Sequence, residues 1–237
     1  MNRRGLVGWV VDVQNDFMRP DGRLYVRHLD DPEDPGAAVV AERIALAVRW
    51  LEGHADLVVF TGDWHALGDA EIDPESPNPA LGTYPPHCMG RSEDRVEREG
   101  AALLPAVAPA NPLVLDVGAG PREGVRTARE AIDSGRAVFI RKTRFDVFEG
   151  NAGTDAFVEA VAERLDDPEF VVLGVARDVC VTQAVDGLID RGRTVTALRD
   201  ATWGLGLESE GDTLARWRRG ARVITLEDRV SEGRADR

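Results

Sequence analysis

Short apolar runs rich in valine and leucine alternate with amphipathic stretches along most of this chain. This alternation is the pattern of a parallel sheet that is covered by helices on both faces. We therefore predict an α/β fold, an open and mostly parallel sheet in a three-layer sandwich. The predicted strands are 6–13, 56–62, 112–117, 137–142, 169–175, 194–198 and 221–226. The predicted helices are 35–52, 121–134, 154–166, 179–191 and 209–219.

The length of 237 residues and the hydrophobic content of 43% are those of a globular chain with a substantial core. We expect a single domain over residues 1–237. The region at about 64–110 is rich in proline and glycine and has little periodicity, so we predict a long loop that carries function. Only the tail after about Glu227 looks dispensable.

The formal net charge of −13 argues against a nucleic-acid partner, which would need lysine and arginine to neutralise phosphates. The apolar runs are much shorter than the roughly 20 residues of a membrane helix, so we expect no membrane association. Two cysteines do not make a disulfide framework. We therefore expect a cytoplasmic protein that acts on a neutral or cationic small molecule.

Polar residues stand at the carboxyl ends of several predicted strands, where open parallel sheets bind ligands. Asp12 interrupts an apolar strand, and Lys142 ends another, so the two form either a buried ion pair or part of a catalytic site. Cys180 follows a strand and opens an amphipathic stretch. It is either a small buried hydrophobe or a thiol whose pKa is lowered by the N-terminus of a helix.

One carboxylate and two imidazoles, from Asp63, His65 and His87, make a donor set suited to zinc, iron or manganese. Alternation along a strand end points the side chains of Asp63 and His65 to the same side. The alternative is that the two histidines are ordinary hydrogen-bonding residues. The spacing alone leaves both interpretations open.

Taken together, four segments resemble the nicotinamidase branch of the isochorismatase-like cysteine hydrolases. They occur in that family's order, between about residues 12 and 181, as VDVQNDF, DWH followed by YPPHC, RKTRFDVFEGN, and GVARDVCV. The resemblance implies an isochorismatase-like fold and an amidase that hydrolyses nicotinamide to nicotinate and ammonia through a cysteine thioester. It assigns catalysis to Asp12 as base, Lys142 as its partner and Cys180 as nucleophile.

The same resemblance implies further site residues. Backbone N–H groups of Ala176 and Cys180 hold the oxyanion, with a cis peptide between Val175 and Ala176. A divalent metal ion, zinc first and iron or manganese next, is bound by three ligands and anchors the pyridine nitrogen. The metal ligands are Asp63, His65 and His87, and the ring is packed by Phe17, Leu24 and Tyr84. A fourth metal ligand is left open among Asp69, Glu71 and Glu75.

The chain also departs from the family pattern. Tyr84 stands where tryptophan is usual, Arg177 stands where threonine is common, and residues at about 108–136 look like an insertion. Two other functions remain open: a hydrolase of the same superfamily that acts on another small amide or a ureido compound, and a non-catalytic interaction domain. Monomer and homo-oligomer are both compatible with the sequence.

Overall fold

One seven-stranded parallel sheet organises the computed structural model, which describes residues 4–235. The strands are β1 (Leu6–Val11), β2 (Leu57–Asp63), β3 (Leu113–Leu115), β4 (Val138–Lys142), β5 (Glu169–Val175), β6 (Thr194–Trp203) and β7 (Ala221–Ile224). Their order in the sheet is β3-β4-β2-β1-β5-β6-β7. The chain therefore places β2, β4 and the edge strand β3 on one side of β1, with β4 between β2 and β3, and places β5, β6 and β7 in chain order on the other side.

Helices cover both faces of this sheet. They are α1 (Asn15–Met18), α2 (Ala41–His54), α3 (Arg95–Ala101), α4 (Pro121–Ser134), α5 (Val147–Gly150), α6 (Thr154–Arg164), α7 (Thr182–Asp190), α8 (Glu210–Trp217) and α9 (Leu226–Ala235). Short 3₁₀ turns lie at Ala37–Val40 and Pro79–Leu81, and a π-helical turn at Arg177–Val181 leads into α7. No helix within residues 4–235 has the length and hydropathy needed to cross a membrane.

The alternation of side chains along β1 shows how the two layers form. Leu6 and Val10 point to the apolar cluster that contains α2, whereas Trp9 and Val11 point to the cluster that contains α4, α6, α7 and α8. All six residues of β1 are buried. A strand that is apolar on both faces can only lie in the middle of a covered sheet, which is why β1 is central.

The predicted α/β fold is confirmed, and each predicted strand and helix has a counterpart. The structure adds the short helices α1, α3 and α5, and it extends β6 to Trp203. The tail that looked dispensable forms α9, where Leu226 is buried and Arg229 pairs with Glu169 at 2.9 Å. This helix has little apolar periodicity of its own, so long-range contacts stabilise it.

The segment at about 108–136 forms the edge strand β3 and helix α4, which packs on α6. Helix α4 begins after Gly120 with Pro121 in its first turn, and Gly135 follows its end with a φ of 67°. These are common start and stop residues for a helix. That this segment is an insertion stays a prediction.

Gly174→Ala should destabilise the protein strongly. Gly174 has a φ of 124°, and a Cβ there would lie 2.0 Å from the carbonyl oxygen of Val11 on β1. We expect the free energy of unfolding, measured by urea denaturation, to fall by about 3 kcal/mol or more. Gly118→Ala is the control, because a Cβ at Gly118 has no atom within 4 Å. Losses below about 0.5 kcal/mol for both variants would contradict this account.

Candidate active site

The carboxyl ends of four strands bring the predicted catalytic residues together. Asp12 follows β1, Asp63 ends β2, Lys142 ends β4, and Cys180 lies in the turn after β5. Asp63 and Lys142 are also register partners across β2 and β4. Because these strands are parallel neighbours around β1, their ends meet at one edge of the sheet. All four side chains are buried.

Lys142 is the centre of this group. Its Nζ lies 2.9 Å from Asp12 Oδ2, donates a hydrogen bond to Asp63 Oδ1, and lies 3.8 Å from Cys180 Sγ. Burial alone would lower the pKa of Lys142, but the carboxylates of Asp12 and Asp63 outweigh it and hold the pKa well above its usual range. The side chain is therefore a buried ammonium ion that bridges two acidic residues.

Asp12 has the properties of a general base. Burial and the nearby carboxylate of Asp63 raise its pKa, against the opposing charge of Lys142. Its Oδ1 accepts a hydrogen bond of 2.6 Å from Thr61 Oγ1, and its backbone has a φ of 52° in the left-handed region. The Cys180 Sγ lies within 4.8 Å of a carboxylate oxygen of Asp12. Asp12 is thus held close to the thiol.

The pKa of Cys180 is raised, not lowered. One of the two interpretations of this residue had the N-terminus of a helix lower the thiol pKa, but burial and the carboxylates of Asp12 and Asp63 raise it well above its usual value, and Lys142 offsets this only in part. The resting residue is therefore a thiol. Removal of its proton needs a base at hand, and that Asp12 is this base stays a prediction.

The turn that carries Cys180 has the backbone form implied by the family resemblance. The peptide bond between Val175 and Ala176 is cis, and the π-helical turn follows at once. Ala176 and Cys180 both line the same pocket. That their backbone N–H groups hold an oxyanion stays a prediction.

A second group of ligand atoms shares Asp63 with the first. Asp63 Oδ2 lies 3.7 Å from His65 Nε2 and 3.7 Å from His87 Nε2. Among the described residues these three buried atoms have no hydrogen-bond partner, although each belongs to a polar group. Burying such atoms unpaired is costly, so the donor set and its spacing fit a metal ion.

Both imidazoles are oriented by a bond on their other nitrogen. His65 Nδ1 lies 3.2 Å from Asp69 Oδ2, and His87 Nδ1 lies 2.8 Å from the carbonyl oxygen of Pro85. Asp69 is itself held by Arg91 and by the N–H of Ala66. Contacts of this kind fix the ring and leave Nε2 free to bind a metal ion.

The structure distinguishes the three acidic residues that were candidates for a fourth metal ligand. Asp69 lies behind His65 and Glu75 is exposed, whereas Glu71 is buried. Glu71 Oε1 accepts a hydrogen bond from the N–H of Phe145, while its Oε2 is buried without a partner among the described residues. Burial and the charge of Asp63 raise the pKa of Glu71 to about 7.

An apolar pocket lies beside both groups. The three predicted ring-binding residues, Phe17, Leu24 and Tyr84, line it, and Asp63, His87 and Cys180 lie among its walls. The rings of Phe17 and Tyr84 are 5.4 and 6.2 Å from that of His87. A pocket with flat apolar walls and a few convergent polar groups is suited to a small ring-bearing molecule.

Other residues of the site were not predicted from the sequence. Val26, Phe145, Val179 and Leu205 complete the pocket walls. The buried Gln14 bonds the backbone of Asp63 through both ends of its amide, at 2.8 Å each. Gln14, Phe145 and Val179 lie inside the quoted motifs, which were a signal in the sequence. Thr61, Val26 and Leu205 carried no such signal.

Residues 119–228 match the family model described as "Isochorismatase domain". Together with the parallel sheet and the site at its carboxyl edge, this match makes the chain similar to the isochorismatase-like hydrolases.

Within this class, the chain is 26% identical over 228 residues to the nicotinamidase of Escherichia coli (strain K12), with 92% of each chain covered. The pyrazinamidase of Pyrococcus horikoshii in complex with zinc has a TM-score of 0.63 at 23% identity, with coverage of 93% and 99%. The N-carbamoylsarcosine amidase of Thermoplasma acidophilum has a TM-score of 0.61 at 19% identity, with coverage of 93% and 96%. The two structures establish the shared fold.

Lys142→Met should destabilise the protein far more than the loss of a surface ion pair. It leaves the buried carboxylates of Asp12 and Asp63 without their cation, and breaking a buried pair typically costs about 3–5 kcal/mol. Arg164→Met, which breaks an exposed pair with Asp133, should cost less than about 1 kcal/mol. Urea denaturation of both variants at neutral pH measures the difference. Similar losses would mean that Lys142 does not neutralise the cluster.

Proposed function

We propose that this chain hydrolyses nicotinamide to nicotinate and ammonia. One observation carries the proposal. Cys180, which lies beside Asp12 and Lys142, lines an apolar pocket together with Asp63 and His87, whose Oδ2 and Nε2 atoms have no partner among the described residues. A carboxamide on a flat ring with a basic nitrogen can meet both groups at once. The similarity to the nicotinamidase of Escherichia coli over 92% of the chain supports this assignment.

The chemistry follows from the order of contacts. Asp12 takes the proton of Cys180, and the sulfur attacks the amide carbon to form a tetrahedral adduct. The N–H groups of Ala176 and Cys180 stabilise the oxyanion. Asp12 then gives the proton to the leaving nitrogen, so the C–N bond breaks, ammonia departs and a thioester remains.

Water completes the cycle. Asp12 removes a proton from a water molecule, which attacks the thioester carbon and breaks the C–S bond. The proton returns to the sulfur, and the product leaves as nicotinic acid, which ionises to nicotinate as the released ammonia takes up its proton. Lys142 holds Asp12 throughout, at 2.9 Å from its Oδ2, and keeps a positive charge beside the sulfur as thiolate develops. The buried setting strengthens both effects.

We propose zinc as the metal ion of the second group, bound by Asp63, His65 and His87. When bound, it supplies a Lewis acid that holds the pyridine nitrogen and so orients the ring. Two imidazoles and a carboxylate are common zinc ligands, and iron and manganese accept the same set. A fourth ligand stays open: Glu71 has a buried Oε2 without a partner among the described residues, but it is not in the group of ligand atoms that lie within 4.8 Å of one another.

Two other functions remain weaker. A hydrolase of another small amide or of a ureido compound shares this fold, as the N-carbamoylsarcosine amidase shows, but such a substrate makes no use of the metal group or of flat apolar walls. A non-catalytic interaction domain gives no role to Asp12, Lys142 and Cys180, which cost free energy to bury together.

The remaining assignments belong to the same proposal. We infer one domain over residues 1–237, because a single sheet separates the two apolar clusters. We also infer a cytoplasmic enzyme whose partner is its small-molecule substrate, without nucleic acid or membrane. A homo-oligomer is compatible with this function and is not required by it.

The wild-type protein should release ammonia from nicotinamide and much less from N-carbamoylsarcosine. Cys180→Ala should abolish this release, because it removes the nucleophile and leaves the fold intact. Cys88→Ala is the matched control, since Cys88 is also a buried free cysteine and takes no part in the proposed mechanism. A coupled ammonia assay and circular dichroism check both points. Activity in Cys180→Ala, or a preference for the ureido compound, would refute the proposal.

Asp69→Asn should weaken zinc binding by about 10- to 100-fold, because Asp69 orients His65 without being a ligand. His65→Ala should lose stoichiometric zinc. Lys142 is the only lysine in the sequence, and it pairs with Asp63. When metal-free protein is titrated with zinc chloride, the NMR shift of the Lys142 ¹³Cε signal therefore reports zinc binding at Asp63. Glu75→Gln, at an exposed residue, is the control. An unchanged zinc Kd in Asp69→Asn would contradict the orienting role.

A further inference from the structure

The loop between β6 and α8, residues 204–209, supplies one wall of the pocket. The side chain of Leu205 is buried and lines the pocket, whereas Leu207 is half exposed. Gly204 and Gly206 flank Leu205, and Gly206 has a φ of 79°, in the region that favours glycine. Leu205 packs in the apolar cluster that contains α2, but the backbone on either side of it is glycine, so hydrogen bonds are needed to fix the path of the loop.

Asp178 holds this loop. Its Oδ1 accepts a hydrogen bond of 2.8 Å from the N–H of Leu205, and its Oδ2 accepts bonds of 2.8 and 3.4 Å from the N–H groups of Leu207 and Glu208. A Cβ at Gly204 would lie 2.9 Å from Asp178 Oδ1, so glycine lets the loop close over the carboxylate. Hydrogen bonds to a charged acceptor are the stronger ones.

The loop is also tied to the opposite wall. The carbonyl oxygen of Leu205 accepts a hydrogen bond of 2.8 Å from the N–H of Leu29, just after the segment that supplies Leu24 and Val26 to the pocket. Leu205 is therefore fixed on both sides of its backbone. Asp178 lies two residues before Cys180 on the nucleophile turn, and it is not one of the described residues that line the pocket.

We propose that Asp178 is a positioning residue that sets the width of the substrate pocket through Leu205, and thereby restricts the substrate to a small flat ring. The proposal rests on the proposed nicotinamide hydrolysis. Asp178 fixes the wall to the same turn that carries the nucleophile, so the distance from Leu205 to the sulfur is set by one side chain. It takes no part in proton transfer.

Asp178→Asn keeps the size of the side chain but replaces one acceptor oxygen by an N–H donor, which faces the loop N–H groups. We expect KM for nicotinamide to rise about tenfold or more, with kcat within about threefold. Leu205→Ala should do the same, and both should improve the relative kcat/KM for 5-methylnicotinamide. In the double variant, Asp178→Asn should add little to Leu205→Ala, because both act through one wall.

Two further variants serve as an independent check and as a control. Gly204→Ala pushes the loop away from the carboxylate of Asp178, so it should reproduce the KM effect. It replaces Asp178→Asn in the test if that variant does not fold. Asp228→Asn is the matched control, because Asp228 accepts the N–H of Thr225 at the start of α9 and should keep wild-type kinetics. A fall in kcat at constant KM, or full additivity with Leu205→Ala, would overturn the proposal and assign Asp178 to the nucleophile turn alone.

A substrate-free measurement separates this proposal from the proposed function. In Asp178→Asn the amide hydrogens of Leu205 and Leu207 should exchange faster, and Cys180 should gain reactivity to N-ethylmaleimide relative to the smaller iodoacetamide, as read by peptide mass spectrometry. A protein that hydrolyses no nicotinamide but shows both changes would refute the proposed function and retain the role of Asp178. Unchanged exchange and labelling would refute that role whatever the substrate.

Discussion

The site depends on one buried ammonium ion between two buried carboxylates. Lys142 contacts both Asp12 and Asp63. A single side chain therefore joins the residues around the Cys180 thiol to the three candidate metal ligands. Two anions and one cation leave a negative excess that the interior tolerates poorly, and a divalent ion beside Asp63 would offset it. A compact ammonium fits between two carboxylates, whereas the planar guanidinium fork of an arginine does not. A lysine therefore suits this place, in a chain whose other basic residues of this kind are 28 arginines.

The parallel sheet makes this contact available. Because β1 lies between β2 and β5, and β4 flanks β2, residues far apart in the chain end at one edge. The long segment at 64–110 then covers that edge, and two internal side chains hold it there. Gln14 bonds the backbone of Asp63 and of Ala101, and Asp16 accepts the N–H of Cys88 beside His87. A loop that carries ligands is positioned by a rigid sheet.

In the proposed mechanism, two kinds of group divide the work. Asp12, Lys142 and Cys180 would act on any amide, and the raised pKa of the thiol makes a base necessary to the first step. The apolar walls and the metal ligands would instead select the ring. The loop at 204–209 connects the two parts, because Asp178 stands on the nucleophile turn while Leu205 stands in the wall.

The sequence by itself determined the α/β alternation, all seven strands and the four segments that meet at the site, because local periodicity and short motifs indicate them directly. Only the tertiary structure decided the rest. Helix α9 lacks apolar periodicity. The hydrogen bond from Thr61 to Asp12 joins residues 49 positions apart, and the one from Leu205 to Asp178 joins residues 27 positions apart. The raised pKa of Cys180 likewise arises from burial and from carboxylates on other strands, which outweigh a local helix N-terminus.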